Sequence, residues 1–207
     1  MNLDQDPAPW WSLLSEPERI RAKRLPAPLV RSRFIVRRGL LRAVLSEHLL
    51  LAPREIFIGT DPRGRPCLPG QPGLRISTSH SGPLGVVALC PAASGHPGID
   101  VEKVVAQRLT PGMLAYVLTP AEHDFLSEVH PSARPTVFHT MWTGKEAVAK
   151  ATGWGLARCF PSVDVLPGPG DDWFARHTGR NWKLNRLTAP DVGYTAALVT
   201  IGEVPLP

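Results

Sequence analysis

The chain has 207 residues, 43% of them hydrophobic, and a formal net charge of +5. That is enough apolar material for one large core or two small ones, while no apolar run nears the ~20 residues needed to cross a bilayer. Met1 to Asp6 is polar and acidic, without the basic-then-apolar order of a secretory signal, so a cytoplasmic protein with no membrane partner is expected. Cys67, Cys90 and Cys159 lie far apart with no CxxC pair, which argues against a disulfide framework or zinc cluster; they are expected to be reduced and structural.

The basic residues are mostly arginine and concentrate between Arg19 and Arg42. Such a cluster attracts phosphates, nucleic acid or an acidic protein, although a solvated helix face has the same composition. Glu16 to Leu25 reads as a short basic helix. Arg31 to Leu50 recurs at helical spacing through Phe34, Leu41, Leu45 and Leu49, and Pro53 is expected to close it. Glu55 to Ile58 reads as a strand, and Asp61-Pro62-Arg63-Gly64 as a turn. Leu74 to Thr78 and Gly85 to Cys90 read as strands joined through Ser79-His80-Ser81-Gly82. A further strand follows at Gly98 to Glu102.

Helical patterning then returns. Thr119-Pro120-Ala121-Glu122 carries a cap, a proline at the first helical position and a glutamate three residues after the cap. Thr136 to Ala151 reads as a long helix stopped by Gly153-Trp154-Gly155. Ser162 to Leu166, Trp182 to Leu187 and Tyr194 to Ile201 read as strands. Each half thus runs from helix to strands, which predicts an α+β protein of two similar lobes, residues 1–104 and 105–207.

Three groupings carry possible chemistry. Asp100 and Glu102 flank Val101 on a strand, so both carboxylates face one way while Val101 enters the core. Two oxygen donors on a rigid strand suit Mg2+, although two acids on a strand are also common as a solvated face. In Trp142-Thr143-Gly144-Lys145-Glu146-Ala147-Val148-Ala149-Lys150, positions four apart align Trp142, Glu146 and Lys150. An ordinary helical ion pair worth ~0.3–0.5 kcal/mol would look the same. Ser77 to Gly82 is a hydroxyl-rich strand end around His80. It could offer donors to phosphate oxygens or simply satisfy a turn.

The order SHSG, GIDVE, WTGKEAVAK resembles the 4'-phosphopantetheinyl transferase superfamily, in particular its long single-chain, surfactin-synthetase-activating type. Gly64-Arg65-Pro66 is similar to the family's G-[KR]-P element, and Arg33-Phe34 with Leu40-Leu41-Arg42 to its basic N-terminal helix. The resemblance implies two lobes related by a pseudo-two-fold, with the active site in the cleft between them. It implies transfer of the phosphopantetheine arm of coenzyme A to a serine of an acidic apo acyl or peptidyl carrier protein. Asp100, Glu102 and Glu146 would bind Mg2+, with Glu146 also the general base and Lys150 neutralising the pyrophosphate. Ser79, His80, Arg65, Lys145, Arg19 and Arg21 would contact coenzyme A. Glu122 matches a glutamate that can approach the metal, and its setting equally makes it a helix cap. Ala147 stands where many members carry serine. A monomer without nucleic-acid binding is expected. A nucleic-acid-binding module, a magnesium-dependent nucleotide phosphohydrolase and an inactive coenzyme A-binding scaffold are the competing readings.

Overall fold

The computed structural model of the chain describes residues 1–170, 172–188 and 193–204. Helices α1 (Ala8–Trp11), α2 (Glu16–Arg24) and α3 (Pro28–Leu49) come first, followed by the short strands β1 (Gly59–Thr60) and β2 (Pro66–Cys67). Strands β3 (Leu74–Ser81), β4 (Leu84–Pro91) and β5 (His96–Lys103) complete the first half. The second half opens with α4 (Pro111–Val117), α5 (Pro120–Glu128), α6 (Arg134–Thr152) and α7 (Leu156–Ser162). It ends with β6 (Asp164–Pro167), β7 (Trp173–His177), β8 (Arg180–Arg186) and β9 (Tyr194–Ile201), so the fold mixes helix and sheet as expected. Among the described residues no helix is long and apolar enough to cross a membrane.

Glu18 locks α2 onto α3. Its carboxylate closes a capping box with Ser15 and accepts from Arg38 and Arg42 of α3. Arg42 is itself only 3% exposed and donates to the Pro53 and Ile56 carbonyls. Those contacts explain why Glu55 to Ile58 is not a strand: its neighbouring carbonyls meet a guanidinium, and pairing starts only at Gly59. Likewise α3 stops before Pro53, with Leu50 turning left-handed at φ 56°.

Burial pushes the Glu18 carboxyl up, but the Arg42 hydrogen bond, the Arg38 charge and the Ser15 amide outweigh it, and its pKa falls below 4.5. A carboxylate held low in the folded state stabilises it above the unfolded pKa and loses that contribution as pH falls through the folded one. Glu18→Gln should therefore cost roughly 3 kcal/mol near neutrality. It should also flatten the fall in melting temperature on acidification below pH ~4.5. Parallel thermal melts of wild type and variant across pH 2.5 to 7 would show whether the two curves converge.

Strands β3 and β4 form an antiparallel hairpin, and β5-β9-β8-β7-β6 form an antiparallel sheet. The strand that ends the first half therefore lies beside the last strand of the chain, with Asp100 opposite Ala197. Helix α6 crosses β5 so closely that a Cβ on Gly98 would sit 1.8 Å from the Ala147 carbonyl oxygen; only glycine fits. Ala147 is itself fully buried there. Around this contact Phe138, Met141, Val148, Phe160, Val165 and Val199 make the main core.

The SHSG segment is not the connection between two strands, because Ser79, His80 and Ser81 all lie within β3 and the turn falls at Gly82. Strand β3 meets β5 through alternating serines. The Ile99 and Lys103 amides donate to Ser77 Oγ (3.2 Å) and Ser81 Oγ (3.1 Å). In the second half, helices α4 and α7 and strand β7 carry no strong sequence signal, and the strand expected from Ser162 begins only at Asp164.

Candidate active site

Asp100 and Glu102 project from β5 toward Glu146 on α6, and one carboxylate oxygen from each lies within 4.8 Å of the others. Asp100 is 1% exposed. Its Oδ1 accepts from Ser79 Oγ (2.6 Å) and Lys150 Nζ (2.6 Å), while its Oδ2 is buried with no partner. Glu102 accepts from Ser81 Oγ (3.0 Å) and Arg108 Nη1 (3.1 Å). Trp142 Nε1 donates to Glu146 Oε1 (3.0 Å), and Lys150 Nζ stands 3.8 Å from Glu146 Oε2.

Three carboxylates this close, in a partly dehydrated place, repel one another. Burial, then the Asp100 charge, raise Glu146 to a pKa of about 7 against the opposing pull of Lys150. Burial also raises Asp100, again opposed by Lys150. An orphaned buried carboxylate oxygen among converging hard donors is the setting a small divalent cation satisfies. The residues present therefore fit Mg2+.

A cavity of about 440 Å3 opens beside the cluster, lined by Arg65, Ser77, Thr78, Glu146, Lys150 and Trp154 among others. A second, of about 280 Å3, is lined by Arg21, Arg33, Arg37 and His80. Phe34 carries the Arg21 and Arg37 guanidinium groups over its ring, at 5.3 and 5.9 Å from the centroid. Arg37 Nη1 reaches His80 Nε2 at 2.8 Å. Burial, and then the Arg37 charge, lower the His80 pKa, so the ring stays neutral and can accept from Arg37.

The structure thus brings together Asp100, Glu102, Glu146, Lys150 and Ser79, and groups Arg21 with His80. Two expectations, for Lys145 and Arg19, need correction, and of the two roles open to Glu122 the structure shows the helix cap. Lys145 is fully buried and cannot reach a ligand in the cleft; its Nζ pairs with Glu122 at 2.6 Å and donates to the Val117 and Phe160 carbonyls. Glu122, also fully buried, closes its capping box and accepts from the Val165 amide, outside the carboxylate cluster. Arg19 is spent on the Trp11 and Ser12 carbonyls and stacks on Trp11. Arg65 does line the cavity, but its Nε holds Asp61 and its Nη1 the Ala151 carbonyl at the end of α6.

The sequence gives no individual site role to Arg37, Ser81, Arg108 or Trp142, although Ser81 and Trp142 stand within its candidate groupings. Ser81 was within reach, since Ser77, Ser79 and Ser81 alternate on one strand face. Trp142 aligns with Glu146 four residues on. Nothing local marks Arg37 or Arg108, which depend on tertiary approach.

Known proteins similar to this chain come from one superfamily. The model of the 4'-phosphopantetheinyl transferase superfamily matches residues 97–199, the span from β5 through α6 to β9. The 4'-phosphopantetheinyl transferase HetI of Nostoc sp. is 31% identical over 192 residues, covering 91% of this chain and 79% of that protein. AcpT of Escherichia coli K12, another 4'-phosphopantetheinyl transferase, is 33% identical over 123 residues, 59% of this chain and 60% of its own. A crystal structure of a holo-(acyl-carrier-protein) synthase from Bacillus anthracis, in complex with CoA (3',5'-ADP), aligns with 52% of this chain and 96% of that one. Its TM-score is 0.43, at 18% identity. The chain belongs to the 4'-phosphopantetheinyl transferase superfamily.

Proposed function

We propose that this protein is a transferase moving the 4'-phosphopantetheine arm of coenzyme A to a serine of an apo carrier protein, with release of adenosine 3',5'-bisphosphate. The observation that carries the site is the unpartnered, buried Asp100 Oδ2 within a three-carboxylate cluster at the edge of an open cavity. In this reading residues 1–104 and 105–207 act as two lobes related by a pseudo-two-fold. The first supplies Asp100 and Glu102, the second Glu146 and Lys150.

Asp100, Glu102 and Glu146 would hold Mg2+, which supplies charge neutralisation to the pyrophosphate and eases departure of the nucleotide. The remaining work falls to side chains, since phosphoryl-type transfer needs positioning and charge more than covalent help. Glu146 takes the proton of the incoming serine hydroxyl. Trp142 fixes one of its oxygens, leaving the other to act. Lys150 neutralises the pyrophosphate, and Arg21, Arg37 and His80 form the basic pocket that takes the 3'-phosphate end.

Glu146→Gln should keep coenzyme A binding, measured by calorimetry, while turnover falls about 10²–10⁴-fold. Loss of both together would show that Glu146 serves binding or the fold and not proton transfer alone. The net charge of +5 favours an acidic carrier protein as the partner. The carrier's association rate should then fall steeply with added salt; stopped-flow rates flat from 20 to 300 mM would count against this partner. The two lobes complete the cleft within a single chain, so we assign a monomer acting in the cytoplasm.

A further inference from the structure

Lys150 has more contacts than a pyrophosphate ligand needs. Its ammonium is tethered by the Ile99 carbonyl (3.2 Å) and by Asp100 Oδ1 (2.6 Å), with Glu146 Oε2 at 3.8 Å. It comes from α6, whose register over β5 is set by the close approach at Gly98. The side chain is 29% exposed, so its head can move toward the cavity that it also lines. We infer that Lys150 is an internal stand-in for the divalent cation, occupying the carboxylate cluster of the free protein and withdrawing only when a pyrophosphate arrives. The inference rests on the transferase reading above.

The physical case is one of competition. The cluster carries three negative charges on Asp100, Glu102 and Glu146 if all ionise. Burial makes that state costly, and an ammonium at hydrogen-bond distance relieves it. A dication entering the same site meets a positive charge already bonded to its most buried ligand. It must then bind through fewer oxygens or expel Lys150, and either course weakens it. A pyrophosphate at the cluster removes the conflict, since its oxygens accept the lysine and ligate the cation together. The two ligands thereby help each other, and by linkage the help is equal in both directions. The free protein is kept from holding metal without its donor substrate.

The test is calorimetric titration of Mg2+ into wild type, Lys150→Gln and Lys150→Arg, each with and without coenzyme A. Without coenzyme A, Lys150→Gln should bind Mg2+ at least about tenfold more tightly than wild type. Lys150→Arg, which retains the charge, should stay as weak as wild type. The mutual enhancement between Mg2+ and coenzyme A should shrink in Lys150→Gln. The double variant Asp100→Asn, Lys150→Gln should lose the gain, placing it at the cluster. Equal or weaker Mg2+ binding by Lys150→Gln, with wild type still binding Mg2+ alongside coenzyme A, would overturn this inference alone. No Mg2+ uptake by wild type even with coenzyme A would overturn the metal site itself, and this inference with it.

Discussion

Asp100→Asn should lower transfer from coenzyme A by about 10³-fold while leaving the melting temperature unchanged or higher. The two effects have one cause. Asp100 is 1% exposed, and burial raises its pKa against the pull of Lys150 and Ser79. An acid whose folded pKa lies above its free value, here 3.8, takes stability away once pH exceeds that value. Asparagine keeps an acceptor for Ser79 and Lys150 and removes the charge. The folded state gains, and a cation held as proposed would lose its most buried ligand, an exchange of stability for function. Labelled-coenzyme A transfer and a thermal melt on the same preparation decide it. Undiminished transfer would remove Asp100 from the site, and a melting temperature lower by 5 °C or more would show that its charge holds the fold together.

Lys145→Met should show the opposite pattern, a large loss of stability with the carboxylate cluster intact. Lys145 and Glu122 are both fully exclusive of solvent, and the ammonium also joins the end of α4 to α7 through Val117 and Phe160. Removing one partner strands the other and typically costs about 3–5 kcal/mol. In a domain of this size that corresponds to roughly 10 °C in melting temperature. Adding Glu122→Gln should restore part of the loss, because it removes the stranded charge, while its single carbonyl oxygen still accepts from one of the Thr119 and Val165 amides that Glu122 serves. A double variant no more stable than Lys145→Met would show that the pair is not a unit.

The carboxylate half of the candidate site was legible because its residues sit at fixed periods. Asp100 and Glu102 are two apart on a strand, and Glu146 and Lys150 four apart on a helix. Helices α5 and α6 were equally plain, since Thr119 and Gly153 punctuate them. Lys145 was misassigned because a lysine beside a catalytic glutamate points to a neighbouring face of the helix, and only the packing of α4, α5 and α7 makes that face the core. Arg19 and Arg21 could not be told apart from composition. The first turns back onto Trp11 and the second toward Phe34, a distinction made by the chain's path through α1. Strand β7 carries two apolar anchors, Trp173 and Ala175, too few to reveal a period.

The pairing of β5 with β9 bears on how the chain folds as it is made. Strand β5 leaves the ribosome early, yet the edge it offers is completed only by Tyr194–Ile201. Until then that edge stays unpaired, with β5 held from its other sides by the β3 serines, by Leu84 and Val86 beside Val101, and by α6 at Gly98. A pairing between such distant stretches is slow to form and open to wrong partners meanwhile. Nascent chains stalled before residue 194 should therefore be held by chaperones, and slower translation of the last third would lengthen that exposure.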